Sequence, residues 1–240
     1  MSARLPRIKP LNRWHRYAGV SAAGLLMFLL ATGLPLQFSA ELGLGTSYVS
    51  SNWVLAWYGI TAPDVVVGSG PVVQVDDQLY WQSQFIGRSQ TLIGAVTKQD
   101  FLIVATRHEI LIFHTGTRET YDTSYLDVAL KHIGQRGDRI YLETSNGLLV
   151  GDHNLVNWTT NNETVDDITW ATTAPLAATE SESFRTAYRS RLLSTERWLQ
   201  DLHSGRFFGA AGVIVIDIAS VLLLILAITG LMIWWRSRSV

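Results

Sequence analysis

Apolar residues are concentrated at the two ends of this chain. Residues 17–38 carry no charged side chain, and residues 207–235 carry only one, Asp217. Both segments have the length that crosses a hydrocarbon core of about 30 Å. The pattern therefore predicts transmembrane helices at 17–38 and 207–235, which together form a membrane α-helical hairpin.

Between the two ends, residues 65–174 alternate apolar and polar positions in short runs separated by polar turns. This period of two is typical of strands. The runs at 139–143 and 148–151 flank Ser145-Asn146-Gly147, and Asn-Gly between two such runs indicates a hairpin. The segment predicts an all-β domain, built mainly as an antiparallel β-meander.

A weak internal repeat runs through this segment. Residues 93–112 resemble residues 133–149 at an offset of about forty residues, the size of a propeller blade, and residues 72–87 resemble a degraded third copy. Three units are too few to close a propeller. A propeller fragment, an open stack of hairpins and a small sandwich or barrel stay open, with a twisted meander favoured.

Two further segments adjoin the hairpin. Residues 39–64 are rich in aromatic side chains, which either anchor the chain at the headgroup layer or cap the core of the β-domain. Residues 175–206 have apolar positions at helical spacing and predict an amphipathic connector. The expected interface anchors are Trp53, Trp57, Tyr58, Arg206, Trp234 and Trp235.

Basic residues predict the orientation of the hairpin. Five precede the first span, two follow the second, and no acidic residue occurs before Glu41. Lys and Arg are retained on the cytoplasmic side, so residues 1–16 and 236–240 are expected in the cytoplasm and residues 39–206 in the periplasm. The location is then a bacterial inner membrane. Phe38 stands where signal cleavage needs a small residue, so the first span is expected to remain as an anchor.

Composition excludes several classes of activity. The chain has no cysteine, which rules out thiol catalysis and Cys-ligated zinc. Its periplasmic part is mildly acidic, which argues against nucleic acid as a partner. No serine or aspartate stands in a nucleophile-elbow or glycine-rich phosphate-loop context, and no metal-ligand spacing occurs, so no catalytic residue and no metal site are predicted.

The histidines nearest the spans are the candidates for a cofactor. His15 and His203 lie at opposite ends of the hairpin, about a bilayer thickness apart, and cannot share one iron within a chain. In a homodimer either could meet its own copy and hold haem b between two imidazoles. The alternative is hydrogen bonding to headgroups, backbone or carboxylates such as Asp201. The other four histidines lack metal-ligand spacing.

Asp217 makes the strongest demand on its surroundings, because a carboxylate in hydrocarbon costs about 2.5–3.5 kcal/mol. Its expected partners are the hydroxyls of Ser21, Thr32 and Ser220, or another subunit. Gly19, Gly209 and Gly212 allow close helix packing. We therefore expect intramembrane docking to involve Asp217 and these glycines.

The two ends of the chain resemble the PepSY-associated transmembrane helix family. The resemblance rests on Trp14-His15-Arg16-Tyr17-Ala18-Gly19, on Ala31-Thr32-Gly33-Leu34-Pro35, on Leu202-His203-Ser204-Gly205-Arg206 and on Thr229-Gly230-Leu231. It implies a membrane protein. Some longer relatives are reductases whose helix-end histidines hold haem, and that resemblance nominates His15 and His203. This chain has half the helices and no flavin or nicotinamide motif.

Three functions are considered on this basis. The first is a non-enzymatic accessory or scaffold subunit that joins other integral membrane proteins, with the β-domain facing the periplasm and available there to a periplasmic protein. The second is electron transfer through haem b held across a homodimer. The third is a tethered periplasmic sensor or chaperone-like domain.

Overall fold

A computed structural model describes the backbone of residues 9–162 and 165–238. Side chains are described for all of these residues except 9–12, 21 and 236–238. The chain divides into two compact units. The helical unit comprises the described residues up to Leu55 and from Arg191 onward, and the β-unit comprises Ala56–Ser190. The basic residues Arg4 and Arg7 lie outside the described residues.

The helical unit contains two long helices. Helix α1 spans Lys9–Gln37 and α5 spans Gly209–Arg238. At 1.5 Å per residue each is longer than 40 Å, which is more than a bilayer core requires. Most of both apolar segments is exposed, whereas the core helix of a soluble protein would be buried. The predicted pair of membrane helices is confirmed.

Shorter elements complete the helical unit near the start of α5. Helix α4 spans Thr195–His203, and a 3-10 turn at Arg206–Phe208 joins it to α5. Backbone hydrogen bonds from Val49 to Leu193 and from Thr195 to Ser47 tie the segment before α4 to the chain after α1. Helix α4 therefore lies fixed beside the end of α1.

Among its described residues the β-unit contains fourteen strands, of which the first twelve form three antiparallel units of four and the last two are short. Within each unit, consecutive strands pair with one another. The predicted antiparallel meander with blade-sized repeats is confirmed. The first unit contains β1 Val67–Ser69, β2 Val72–Val75, β3 Gln78–Trp81 and β4 Gln84–Arg88. The second contains β5 Leu92–Lys98, β6 Phe101–Thr106, β7 Glu109–His114 and β8 Thr120–Tyr125. The third contains β9 Leu130–Arg136, β10 Arg139–Thr144, β11 Gly147–Gly151 and β12 Trp158–Asn161.

The three units stack face to face, and the middle unit is buried on both faces. Along β6, Leu102 and Val104 pack with the first unit, while Ile103 and Ala105 pack with the third. Successive side chains of a strand point to opposite faces. This is why residues 101–105 form one continuous apolar run rather than an alternating one.

The chain returns across the first strands of all three units. Strand β13, Thr169–Trp170, pairs with β9, and β14, Ala174–Pro175, pairs with β1. Between them Ala171 lies so close to β5 that a Cβ on Gly94 would stand 2.9 Å from its methyl group. This return segment, residues 168–175, therefore links the three units along one edge.

Two helices lie where the sequence predicts one amphipathic connector. Helix α3 spans Ala178–Arg189 and belongs to the β-unit, whereas α4 belongs to the helical unit. The break has a local cause, because the hydroxyl of Ser194 accepts a hydrogen bond from the backbone N–H of Arg197 and caps a new helix. The short helix α2 spans Asn52–Trp57.

Helix α3 packs on the outer face of the first four-stranded unit. The ring of Phe184 lies edge-on to Tyr80 at 5.8 Å, and the hydroxyl of Tyr188 donates to Asp76 at 2.9 Å. Burial, followed by the hydrogen bond to Asp76, raises the pKa of Tyr188 from 10 to about 12. A tyrosine with a raised pKa stabilises the fold while it is protonated.

Stability of the β-unit is expected to fall as the pH rises through this range. The contribution of Tyr188 is fully present below pH 10 and is lost as the pH rises through about 12. Tyr188→Phe should remove this loss and should lower stability below pH 9 by about 1–2 kcal/mol. Denaturant unfolding followed by circular dichroism measures both effects. Tyr125→Phe, at an exposed tyrosine, is the control and should change neither.

Candidate functional site

His203 meets α1 at the end of the hairpin where α1 ends and α5 begins, here called the loop end. Its Nδ1 lies 2.9 Å from the hydroxyl oxygen of Thr32. Thr32 is 6% exposed, and its hydroxyl donates to the backbone oxygen of Phe28 at 2.9 Å. A Cβ on the next residue, Gly33, would stand 3.0 Å from Cε1 of His203. The threonine thus contacts the imidazole, and the glycine leaves room for it.

His15 repeats this arrangement at the opposite end, here called the terminal end. Its Nδ1 lies 3.0 Å from the hydroxyl oxygen of Thr229. That hydroxyl donates to the backbone oxygen of Ile225 at 2.8 Å. A Cβ on Gly230 would stand 3.3 Å from Cε1 of His15. The two helices are therefore antiparallel, and each contributes a Thr-Gly pair to a histidine from the other half of the chain.

The sequence itself carries the signal for these two contacts, although the histidines alone do not reveal it. The tripeptide Thr-Gly-Leu occurs at 32–34 and again at 229–231. The sequence assigned Thr32 to Asp217, and it gave Thr229 no role beyond the family resemblance. The structure pairs both threonines with histidine instead. Reading the repeated tripeptide as two equivalent positions on antiparallel helices would have found both contacts.

The turn that joins α4 to α5, here called the elbow, depends on three glycines. Gly205 and Gly209 have positive φ angles of 77° and 69°, which favour glycine. Gly212, in the first turn of α5, lies directly against Gly205, and a Cβ on either residue would overlap the backbone of the other. The elbow fixes the position of α5 relative to α4, and α4 carries His203 at its end.

Asp201 supports the elbow through two arginines. Its side chain is 9% exposed and lies 3.7 Å from Nε of Arg197 and 3.9 Å from Nη1 of Arg206. The sequence predicts Arg206 as an interface anchor. In the structure its guanidinium lies beside the carboxylate of Asp201.

Asp217 points away from α1. Its side chain is exposed, and among the described side chains it has no hydrogen bond or ion pair. The hydroxyls expected to pair with it are engaged elsewhere, because Ser220 donates to the backbone oxygen of Ile216 and Thr32 contacts His203. The side chain of Ser21 lies outside the described residues.

The remaining glycine expected at a helix contact has a different environment. A Cβ on Gly19 would meet no atom within 4 Å, so this residue faces open space on α1. Gly209 likewise has open space around it, and its role is the positive φ angle. Of the three predicted glycines, Gly212 is the one in close contact, and that contact lies within the elbow.

Large aromatic side chains are exposed at both ends of the helical unit. Trp53 is 64% exposed and lies edge-on to Phe207 at 6.2 Å. Trp234 and Trp235 are exposed at the terminal end. In the β-unit, Trp57 is exposed and Tyr58 is partly exposed. Exposed Trp at helix ends is typical of the membrane interface.

The other four histidines lie in the β-unit and do not gather. His132 contacts Glu143 at 3.0 Å, and Nδ1 of His153 lies 3.9 Å from Asp138. Among the described residues no three metal-binding side chains come together. His15 and His203 are likewise far apart, since the 17 residues from His15 to Thr32 span about 26 Å of helix.

An apolar groove of about 430 Å³ lies within the helical unit. Residues from α1, α4, the elbow and α5 line it, and none of them is charged or polar in its side chain. Such a lining offers no group for chemistry. The lining residues are Leu25, Phe28, Leu202, Gly205, Phe208, Ala211, Gly212, Val215 and Ile216.

Comparison with known proteins gives one match. The family described as the PepSY-associated TM region matches residues 7–237. The match includes both long helices, the β-unit and both histidine–threonine contacts. No curated protein and no solved structure matches the chain.

Proposed function

We propose a docking function for this chain, which belongs to the PepSY-associated TM family and is a membrane protein. In this proposal the chain is a non-enzymatic accessory subunit of a larger complex in the bacterial inner membrane. Helix α5 binds a span of another membrane protein, and the β-unit lies in the periplasm. The observation that carries the proposal is the exposed carboxylate of Asp217.

Asp217 lies eight residues after the start of α5, about 12 Å along the helix. A charged group at membrane depth costs about 2.5–3.5 kcal/mol unless it is paired. The described side chains of this chain do not supply the pair, because the nearby hydroxyls bond elsewhere. A partner with a basic side chain at the same depth would remove this cost.

The surroundings of Asp217 suit a helix as the partner. Ser220 lies one turn further along and is also exposed, and its oxygen can still accept a hydrogen bond. Ile214 and Val221, on the same face, are 57% and 58% exposed. The face therefore combines one charge, one acceptor and apolar packing surface, which are the features that hold membrane helices together.

The proposed orientation rests on the basic residues that flank the two spans. Arg13 and Arg16 lie at the start of α1, and Arg236 and Arg238 at the end of α5. Positive residues favour the cytoplasmic side, so both termini are assigned to the cytoplasm. The connecting chain between the spans is then periplasmic, and the β-unit is available there to a second protein.

Purification of the tagged chain in mild detergent tests the docking function. The unmodified chain should co-purify with a membrane protein. Asp217→Leu should reduce that protein about tenfold, since one ion pair of about 1.4 kcal/mol corresponds to a factor of ten. Asp217→Asn should reduce it nearly as much, because the amide keeps a hydrogen bond but loses the charge.

Ile218→Ala is the matched control, because Ile218 is adjacent to Asp217 and 62% exposed. It should leave the co-purified protein unchanged. A chain that purifies alone as a monomer or homodimer would contradict the docking function. An Asp217→Leu variant that retains its partner would contradict the role of the carboxylate.

Electron transfer is the second candidate function, and the hydrogen bonding of His15 and His203 favours it. In each, Nδ1 is engaged by a threonine and Nε2 has no hydrogen bond among the described residues. A free imidazole nitrogen whose partner nitrogen is hydrogen-bonded fits a metal ligand. One chain offers one such ligand at each end, so two copies would hold each haem b, which supplies one-electron transfer. A Soret band in the purified protein would support this function, and a colourless protein would end it.

A further inference from the structure

We propose that Thr32 and Thr229 are positioning residues that hold His203 and His15 in the Nδ1-protonated tautomer. In that tautomer each Nε2 keeps an unshared electron pair. The proposal concerns which nitrogen carries the proton, and it follows from the number of protons that the threonines can donate.

The loop end gives the first half of the argument. The hydroxyl of Thr32 has a single proton, and this proton is directed at the backbone oxygen of Phe28 at 2.9 Å. A carbonyl oxygen can only accept, so that contact requires the threonine proton. With the threonine proton on that backbone oxygen, the 2.9 Å contact between Thr32 and His203 is a donation from Nδ1–H of the imidazole.

The terminal end repeats the argument with different residues. Thr229 directs its proton at the backbone oxygen of Ile225 at 2.8 Å. Its oxygen therefore accepts from Nδ1 of His15 at 3.0 Å. The two contacts join residues that are 214 and 171 positions apart in sequence. In both, Nδ1 of a histidine thus donates to the hydroxyl oxygen of a threonine.

The glycine after each threonine leaves room for the imidazole ring. A Cβ added to Gly33 would meet Cε1 of His203 at 3.0 Å, and one added to Gly230 would meet Cε1 of His15 at 3.3 Å. Threonine engages Nδ1, and Nε2 of each ring has no hydrogen bond among the described residues. The threonine therefore sets the protonation, and the glycine lets the ring approach it.

This arrangement matches the outer hydrogen bond that supports metal-ligating histidines. Such a hydrogen bond on one nitrogen fixes the tautomer and raises the basicity of the other. The class of ligand that Nε2 would take is a Lewis acid, such as the iron of a haem. That last step rests on the second candidate function, whereas the tautomer does not depend on it.

Nitrogen-15 NMR of the full chain, labelled at histidine and held in detergent micelles at a pH where imidazole is neutral, tests the tautomer. His15→Gln and His203→Gln assign the two pairs of signals. In the unmodified protein both residues should show a protonated Nδ1 and an unprotonated Nε2, with a preference of about tenfold or more for one hydrogen bond.

The variants have reciprocal effects. Thr32→Ala should abolish the tautomer preference of His203 and leave His15 unchanged, whereas Thr229→Ala should do the reverse. Thr32→Ser and Thr229→Ser should retain it, because serine keeps the hydroxyl. Thr46→Ala is the control, since the Thr46 hydroxyl bonds to Gly43 and contacts no histidine.

Two results would overturn the proposal. One is a protonated Nε2 on either histidine in the unmodified protein, and the other is a serine variant that behaves like the alanine variant. A colourless protein in which both histidines still carry the proton on Nδ1 would support the tautomer assignment. That result would contradict electron transfer alone, so the two failures are distinguishable.

Discussion

Gly205→Ala is expected to disrupt the elbow and to lower the stability of the helical unit by about 3–5 kcal/mol. Two costs add at this position. The φ angle of 77° is strained for alanine, and the new Cβ would overlap the backbone of Gly212. Because the elbow joins α5 to α4, which carries His203, His203 should also lose its contact with Thr32.

Substitutions at Gly209 and Gly212 measure the strained φ angle and the steric overlap separately. Gly209→Ala meets no atom within 4 Å, so only its positive φ angle contributes, about 1–3 kcal/mol. Gly212→Ala has ordinary helical geometry but would overlap Gly205, so the overlap alone contributes, about 1–3 kcal/mol. Melting temperature in detergent and the rate of tryptic cleavage at Arg206 measure these effects. If Gly209→Ala were as damaging as Gly205→Ala, close approach would not be the main cost.

Gly134→Ala is expected to weaken the β-unit strongly, by about 2–4 kcal/mol. A Cβ on this residue of β9 would stand 2.6 Å from a methyl carbon of Ile168 and 2.7 Å from the ring of Trp170. The backbone oxygen of Thr169 would be 2.9 Å away. The return segment would have to move off β9, and the link across the three units would open.

Gly116→Ala is the control for this substitution. Its nearest atom would be Cε1 of His114 at 3.3 Å, at the end of a side chain that can rotate. Its effect should stay within about 0.5 kcal/mol. The midpoint of urea unfolding, followed by circular dichroism in the β-sheet region, compares the two variants. Equal midpoints would show that the return segment contributes little to the stability of the β-unit.

Patterns within short windows were enough to predict the helices and most of the strands. The apolar segments at 17–38 and 207–235 are long enough to be unambiguous, and the Asn146-Gly147 turn marks the hairpin of β10 and β11. The return segment could not be predicted in this way. Strands β13 and β14 contain two residues each, and their partners β9 and β1 are distant in sequence, so no local period reveals them.

The site was only partly predictable for a related reason. His15 and His203 stand out as polar residues at helix ends, so the sequence nominates them. Their partners are threonines inside apolar segments, and a threonine there is unremarkable because it can bond to its own helix. Only the antiparallel packing of α1 and α5 brings Thr32 to His203 and Thr229 to His15. The exposure of Asp217 likewise depends on which face of α5 meets α1.

The matching contacts at the two ends give the membrane hairpin an approximate two-fold symmetry. A rotation that exchanges α1 with α5, and His15 of α1 with His203 at the end of α4, would place a histidine on a Thr-Gly pair at either end. This part of the hairpin therefore has no built-in direction across the bilayer. Direction must then come from features that break the symmetry. These are the flanking basic residues, the β-unit, which lies between the two helices in sequence, and the single carboxylate of Asp217, which lies nearer to the loop end.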